Sequence, residues 1–226
     1  SMNPRASSSN QPPDPPWLPL NASDAGGGYL SYYLNDELSP FPVRAVTKIR
    51  DNKADPNLET MTYGLFSHCN RVMRKSIVRR GCRYLFFVTN RGGRVLTGVY
   101  RPRWYVCLMP NDFALAADFV RFMQAPVPLS EVDRLCGTTL NRPFRNYKSI
   151  TFDESESLLY LIFSQPDATP LYLSEIDRLE RFNRRHSGYR YVTAKVNESY
   201  SWACSRAQEI LSSPALDCAD IGRHVL

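Results

Sequence analysis

The feature that constrains this chain most is a β-hairpin written over residues 84–100. Tyr84-Leu85-Phe86-Phe87-Val88-Thr89 is an unbroken aromatic and β-branched run, Asn90-Arg91-Gly92-Gly93 is a turn, and residues 94–100 return as the partner strand. Leu85 to Val88 contains no polar residue, so that strand has no solvent face and other elements must cover both of its sides. A chain of 226 residues with 43% hydrophobic residues can supply the cover, which excludes a disordered, collagen-like or coiled-coil chain. At roughly 100–200 residues per domain, one domain with extensions is expected.

Around the hairpin the chain divides into four stretches. Residues 1–28 form a Pro/Gly/Ser-rich tail, broken by Pro12, Pro13, Pro15, Pro16 and Pro19 and closed by Gly26-Gly27-Gly28. It holds too few apolar residues to offset its ordering entropy, with Trp17 as its one strong docking residue. Residues 29–59 read as an arm with short strands at 29–34 and 43–49 and a polar loop over 51–58. Residues 60–165 form the core: a strand over 60–66, a short helix or loop over 70–80 stopped by Gly81, then the hairpin. Asn111 then reads as the cap of a helix with Phe113, Leu115, Ala116, Phe119 and Phe122 as its apolar positions. An extended Pro126-Val127-Pro128-Leu129, a helical turn from Ser130 to Leu135 and a strand over 144–151 follow. Asp153 with Glu156 opens the last core helix as a capping box. Residues 166–226 are an extension packed on the core: a helix opened by Ser174 with Asp177, running through Arg185 and ended by Gly188, a strand over 189–196, and a helix over 200–211. Short strands and helices without βαβ alternation make the class α+β. No repeat and no Gly-rich phosphate loop of the required form is present.

Charge becomes informative once it is located. The net charge is +6, yet residues 60–111 contain no Asp or Glu and ten basic residues: Arg71, Arg74, Lys75, Arg79, Arg80, Arg83, Arg91, Arg94, Arg101 and Arg103. The rest of the chain carries 18 basic against 22 acidic residues, so all of the excess positive charge lies in this block. Such a block points to a polyanion, nucleic acid first; the plain alternative is a solvated basic face without a partner.

Other chemistry is weakly signalled. The six cysteines include no C-x-x-C pair, and no signal-peptide pattern precedes them, so reduced thiols in a cytoplasmic protein, or a nuclear one in a eukaryote, are expected. No apolar run reaches ~18 residues, so no membrane partner is expected. The three histidines are too dispersed for a tetrahedral zinc site, and no metal or other cofactor is implied. Cys69 beside His68 in a basic setting is the best candidate for covalent chemistry, although the nearest acids in sequence, Glu59 and Asp112, are distant. Asp153, Glu154 and Glu156 are explained by helix capping. Aromatics interleave with the basic block: Tyr63, Phe66, Trp104, Tyr105 and, farther on, Tyr147. Such rings stack nucleobases, or else fill the core as Phe86 and Phe87 do. Trp104-Tyr105 follows Arg101-Pro102-Arg103, a surface-type sequence, which favours a ligand-facing position.

The order of these pieces carries a resemblance. Tyr63-Gly64-Leu65-Phe66-Ser67, then Asn70-x-x-Met73-Arg74, then Arg79-Arg80-Gly81 leading into Tyr84-Leu85-Phe86-Phe87, are followed by Arg94-Val95-Leu96-Thr97-Gly98-Val99-Tyr100 and Ala125-Pro126-Val127-Pro128-Leu129. This order resembles the PUA-like superfamily, nearest to its EVE and YTH members, over about residues 60–163. Cys82 departs from the Asp usual in that family after the glycine. The resemblance implies a pseudo-barrel whose aromatic pocket accepts a modified base. Ser67 and Asn70 would stand at that pocket with Tyr63, Phe66 and Tyr147, and Trp104 or Tyr105 would form a wall. Arg71, Arg74, Lys75, Arg79, Arg80, Arg83, Arg101 and Arg103 would hold flanking phosphates. Extruding a base costs a few kcal/mol, which stacking at ~1–3 kcal/mol per base can offset. The expected function is a binding module for a modified base in DNA or RNA, without catalysis. Two other readings stand beside it: an enzyme on nucleic acid or nucleotides using His68 or Cys69, and a protein-interaction domain with the proline-rich tail as a polyproline ligand.

Overall fold

A computed structural model of the chain describes residues 15–21, 26–36, 39–43, 55–65, 69–186 and 203. The described elements, in chain order, are β1 (Leu18–Pro19), β2 (Gly28–Tyr32), β3 (Thr62–Tyr63), α1 (Arg71–Arg80), β4 (Tyr84–Asn90), β5 (Arg94–Met109), β6 (Asp112–Pro128), α2 (Leu129–Cys136), β7 (Tyr147–Ile150), α3 (Phe152–Phe163) and α4 (Thr169–His186). The fold is α+β. One curled half-barrel sheet runs β3-β6-β5-β4-β2-β7, with β1 added to β5. Only β2 and β4 are parallel neighbours. Among the described residues, no helix is long and apolar enough to cross a membrane.

β4 is covered on both sides, as its apolar run requires. Leu85 and Phe87 point into a core shared with Met73 and Ile77 of α1 and with Tyr172 and Ile176 of α4. Phe86 and Val88 point into a second core with Leu129 and Val132 of α2 and Leu158, Leu159 and Ile162 of α3. A row of cross-strand partners, Phe87, Gly98 and Phe122, shows how the first core closes. A Cβ on Gly98 would lie 2.6 Å from the Phe122 ring, so glycine lets that ring lean across β5 and stack on Phe87 at 5.9 Å.

The structure corrects several sequence expectations. Residues 112–128 are a strand, not a helix capped by Asn111. Asn111, at φ 61°, is instead part of the two-residue link between β5 and β6. Ala114, Leu115, Ala116 and Ala117 are all buried, because both faces of β6 are covered. Alanines with no period-2 alternation mimic a helix in sequence, and tertiary packing decides otherwise. The 29–59 arm contributes β2, which sits inside the sheet between β4 and β7. Within the tail, Leu18 and Pro19 pair with Tyr105 and Trp104, and the buried Trp17 donates its indole N–H to the Ala203 carbonyl at 3.1 Å. The α3 box lies two residues earlier than expected: Thr151 Oγ1 accepts the Glu154 N–H and the Glu154 carboxylate accepts the Thr151 N–H. α4 starts at Thr169, whose N–H and hydroxyl both donate to Asp167, rather than at Ser174. The strands and helix expected over 44–49, 189–196 and most of 200–211 lie outside the described residues.

Candidate functional site

α1 organises the candidate site. Its inner face buries Met73, Arg74 and Ile77, and Gly81 ends it at φ 81° by donating its N–H to the Ile77 carbonyl. Its N-cap, Asn70, does not cap with its side chain. That amide reaches back instead, donating to Tyr63 Oη at 2.7 Å and to Ser31 Oγ at 3.2 Å. On the outer face, Arg71, Lys75 and Arg79 recur every fourth residue and so form one stripe. Like charges at this spacing oppose the helix by a few tenths of a kcal/mol per pair, so helix stability does not account for them. Arg79 and Arg80 in the last turn do favour the negative end of the helix dipole.

The ten basic residues of the acid-free block fall into two groups. Arg74 is fully buried and donates to the Asp112 carboxylate at 2.7 Å, to the Cys69 carbonyl at 3.0 Å and to the Phe113 carbonyl. Arg71 holds the other Asp112 oxygen at 3.1 Å. Arg101 binds both oxygens of Asp118, at 2.6 and 2.8 Å, and Arg103 shares one of them at 3.1 Å. Arg83 pairs with Glu156. Arg91 donates to the Ser39 carbonyl at 2.9 Å, and Arg94 to the Phe144 carbonyl while lying over the Phe144 ring at 4.2 Å. Among the described residues, Lys75, Arg79 and Arg80 have no carboxylate within ion-pairing distance. Arg79 and Arg80 are exposed, and Lys75 is partly exposed.

The candidate base-pocket residues also separate. Tyr63 is buried, with its hydroxyl 2.9 Å from Ser31 Oγ and stacked on Phe87 at 6.0 Å. Burial, then the Asp55 carboxylate, pushes its phenol well above the ordinary value, so it stays neutral. Tyr147 stands opposite Ser31 in the β2–β7 register and meets Tyr29 edge-on at 6.1 Å. Tyr29 in turn shares a hydrogen bond with Ser76 of α1 at 3.0 Å. Tyr63, Asn70 and Tyr147 thus converge, with Tyr29, Ser31 and Ser76 as members that the sequence reading missed. Nothing in residues 29–34 signals the role of Tyr29 and Ser31, because the pairing of β2 between β4 and β7 brings them there.

Tyr105 shares this face through the row Tyr105, Leu115, Tyr63. Trp104 does not. It points to the opposite face, into the cluster of Trp17, Leu65, Val106, Ala114, Ala116 and Ala203. β5 runs unbroken through Pro102, with register shifts on both sides of it, so Arg-Pro-Arg marks a bulge rather than a strand end. Phe66, Ser67 and His68 lie outside the described residues. Cys69 is half-buried, Cys82 is buried with its thiol donating to the Tyr84 carbonyl, and burial pushes that thiol up to about 12. Among the described residues, no group of three or more His, Cys, Asp or Glu side chains could hold a metal ion. No protein-family model matches the chain, and neither a curated protein nor a solved structure matches it.

Proposed function

We propose that this protein is a nucleic-acid-binding module, PUA-like in kind, that holds the phosphate backbone along α1 and reads a modified base beside it. The observation that carries the proposal is the group Lys75, Arg79 and Arg80: cations without carboxylate partners among the described residues, on the outer face of one helix. Polyanion binding gives Lys75 a use that helix stability does not, and gives Arg79 and Arg80 one beyond the helix dipole. At ~1.5 Å rise per residue, Lys75 and Arg79 stand about 6 Å apart along the helix, a spacing suited to successive phosphates of an extended strand.

The base-reading part rests on proximity. Half-buried Tyr29 reaches α1 through Ser76 and meets half-buried Tyr147 edge-on, and Asn70 opens that helix with its amide nitrogen already engaged by Tyr63 and Ser31. A base leaving a strand gripped by α1 would stack on Tyr147 and present its edge to Asn70. Trp104, on the far face, has no part in this reading.

The test is titration of fluorescent single-stranded oligonucleotides, DNA and RNA, with and without modified bases. Wild-type protein binds, and Arg79→Glu/Arg80→Glu abolishes binding at physiological salt. Tyr147→Ala removes selectivity for a modified base and leaves general affinity within about twofold, whereas Trp104→Ala leaves selectivity intact. Affinity independent of salt would overturn the proposal.

A further inference from the structure

At the C-terminal end of α1, a cleft of about 180 Å³ opens between the start of β2, the end of β7 and the turn into β4. Gly26, Gly27 and Gly28 form one wall; Arg80, Gly81 and Arg83 form the other. Two of these glycines are required by packing. A Cβ on Gly27 would lie 1.8 Å from the Thr151 carbonyl oxygen, and one on Gly28, at φ +135°, would lie 1.9 Å from that of Tyr84. Gly26 is different, because a Cβ there meets nothing within 4 Å, so packing leaves this position open.

The donors around the cleft are unevenly used. Arg80 has no carboxylate partner among the described residues. Arg83 is anchored by Glu156 and lies 4.4 Å over the Phe152 ring, which fixes its position. Among the described residues, the backbone N–H groups of Cys82 and Arg83, both lining the cleft, have no hydrogen-bond partner. Cys82 and Ile150, each 6% exposed, are the buried part of the lining. One guanidinium without a carboxylate partner among the described residues, one guanidinium held in place and backbone donors on two of the lining residues suit a compact dianion with several acceptor oxygens. A phosphodiester inside a strand fits poorly, since it brings one charge and two ester arms that must both leave.

We infer that this cleft binds a phosphate monoester, either the terminal phosphate of a strand lying along α1 or that of a free nucleotide. The first source rests on the proposed nucleic-acid reading; the second does not.

The full chain is titrated with short single strands of one sequence carrying a 5′-phosphate, a 3′-phosphate or no terminal phosphate. In parallel, adenosine 5′-monophosphate and adenosine are followed by backbone amide shifts. One terminal phosphate strengthens binding about tenfold. Gly26→Glu, which adds an acid at an open position, removes that gain, and Gly26→Ala keeps it. Arg80→Gln, an exposed substitution, reduces it. If the monophosphate shifts the amides of Gly26, Gly27, Cys82 and Arg83 while adenosine does not, and no oligonucleotide binds, the cleft stands and the nucleic-acid reading falls. If oligonucleotides bind with no preference for either terminal phosphate and the monophosphate leaves those amides unmoved, the cleft proposal is overturned and the nucleic-acid reading survives.

Discussion

The basic block contains two kinds of arginine, and the contrast between α1 and the β4–β5 hairpin shows what charge density in a sequence can mean. On the hairpin, Arg91, Arg94, Arg101 and Arg103 are spent inside the fold. Arg91 ties down the loop at Ser39, Arg94 ties down the segment at Phe144, and Arg101 with Arg103 grips Asp118 of the neighbouring strand. On the outer face of α1, Lys75, Arg79 and Arg80 have no carboxylate partner among the described residues. The two regions have similar composition and opposite uses. The first secures chain segments to one another, and the second is the group that we propose meets a polyanion.

Substitutions that exchange these roles break or sharpen the contrast. The largest effect is expected inside α1 itself, at its one buried basic residue. Arg74→Met leaves Asp112 buried with its Arg71 ion pair, and costs about 3–5 kcal/mol. Urea unfolding reads this loss, and the folded fraction keeps its salt dependence of binding. Arg101→Gln is next. It removes a two-point grip on Asp118, and it lowers stability by about 1–3 kcal/mol without altering oligonucleotide affinity. A smaller effect comes from Asp133, a carboxylate held without an arginine. Burial raises its pKa, but the Thr138 hydroxyl and the Asn141 and Leu140 N–H groups outweigh that, and the net shift is downward. A lowered folded-state pKa contributes stability that is present above the ordinary carboxylate range and is lost as pH falls through the lowered value. Asp133→Asn therefore flattens the acid limb of the stability–pH curve and leaves α1-mediated binding at neutral pH unchanged.

The hairpin was legible in sequence because an unbroken apolar run admits one physical solution, a strand covered on both sides. The strand after it was not, because Ala114, Ala116 and Ala117 fit a helix equally well until both faces of the sheet are built around them. Gly26-Gly27-Gly28 read as the end of a tail, yet two of the three are required where β2 enters the sheet past Thr151 and Tyr84. The charge block was legible as density only. The acids that pair with half of its basic residues, Asp112, Asp118 and Glu156, lie beyond its end in sequence and return through the β5–β6 hairpin and α3. Trp104 and Tyr105 looked equivalent as neighbours, but strand alternation sends one to each face.

The central claim is that α1, and not the hairpin, meets the polyanion. Its most direct test is the slope of log affinity against log salt for one single-stranded oligonucleotide and three proteins: wild type, Lys75→Gln/Arg79→Gln/Arg80→Gln, and Arg91→Gln/Arg94→Gln/Arg103→Gln. Each lost phosphate contact removes ~0.7 from the slope for a single strand. The α1 variant is expected to lose about 2 units, while the hairpin variant binds with the wild-type slope and unfolds at lower urea. A hairpin variant that loses the slope while the α1 variant keeps it would contradict the account.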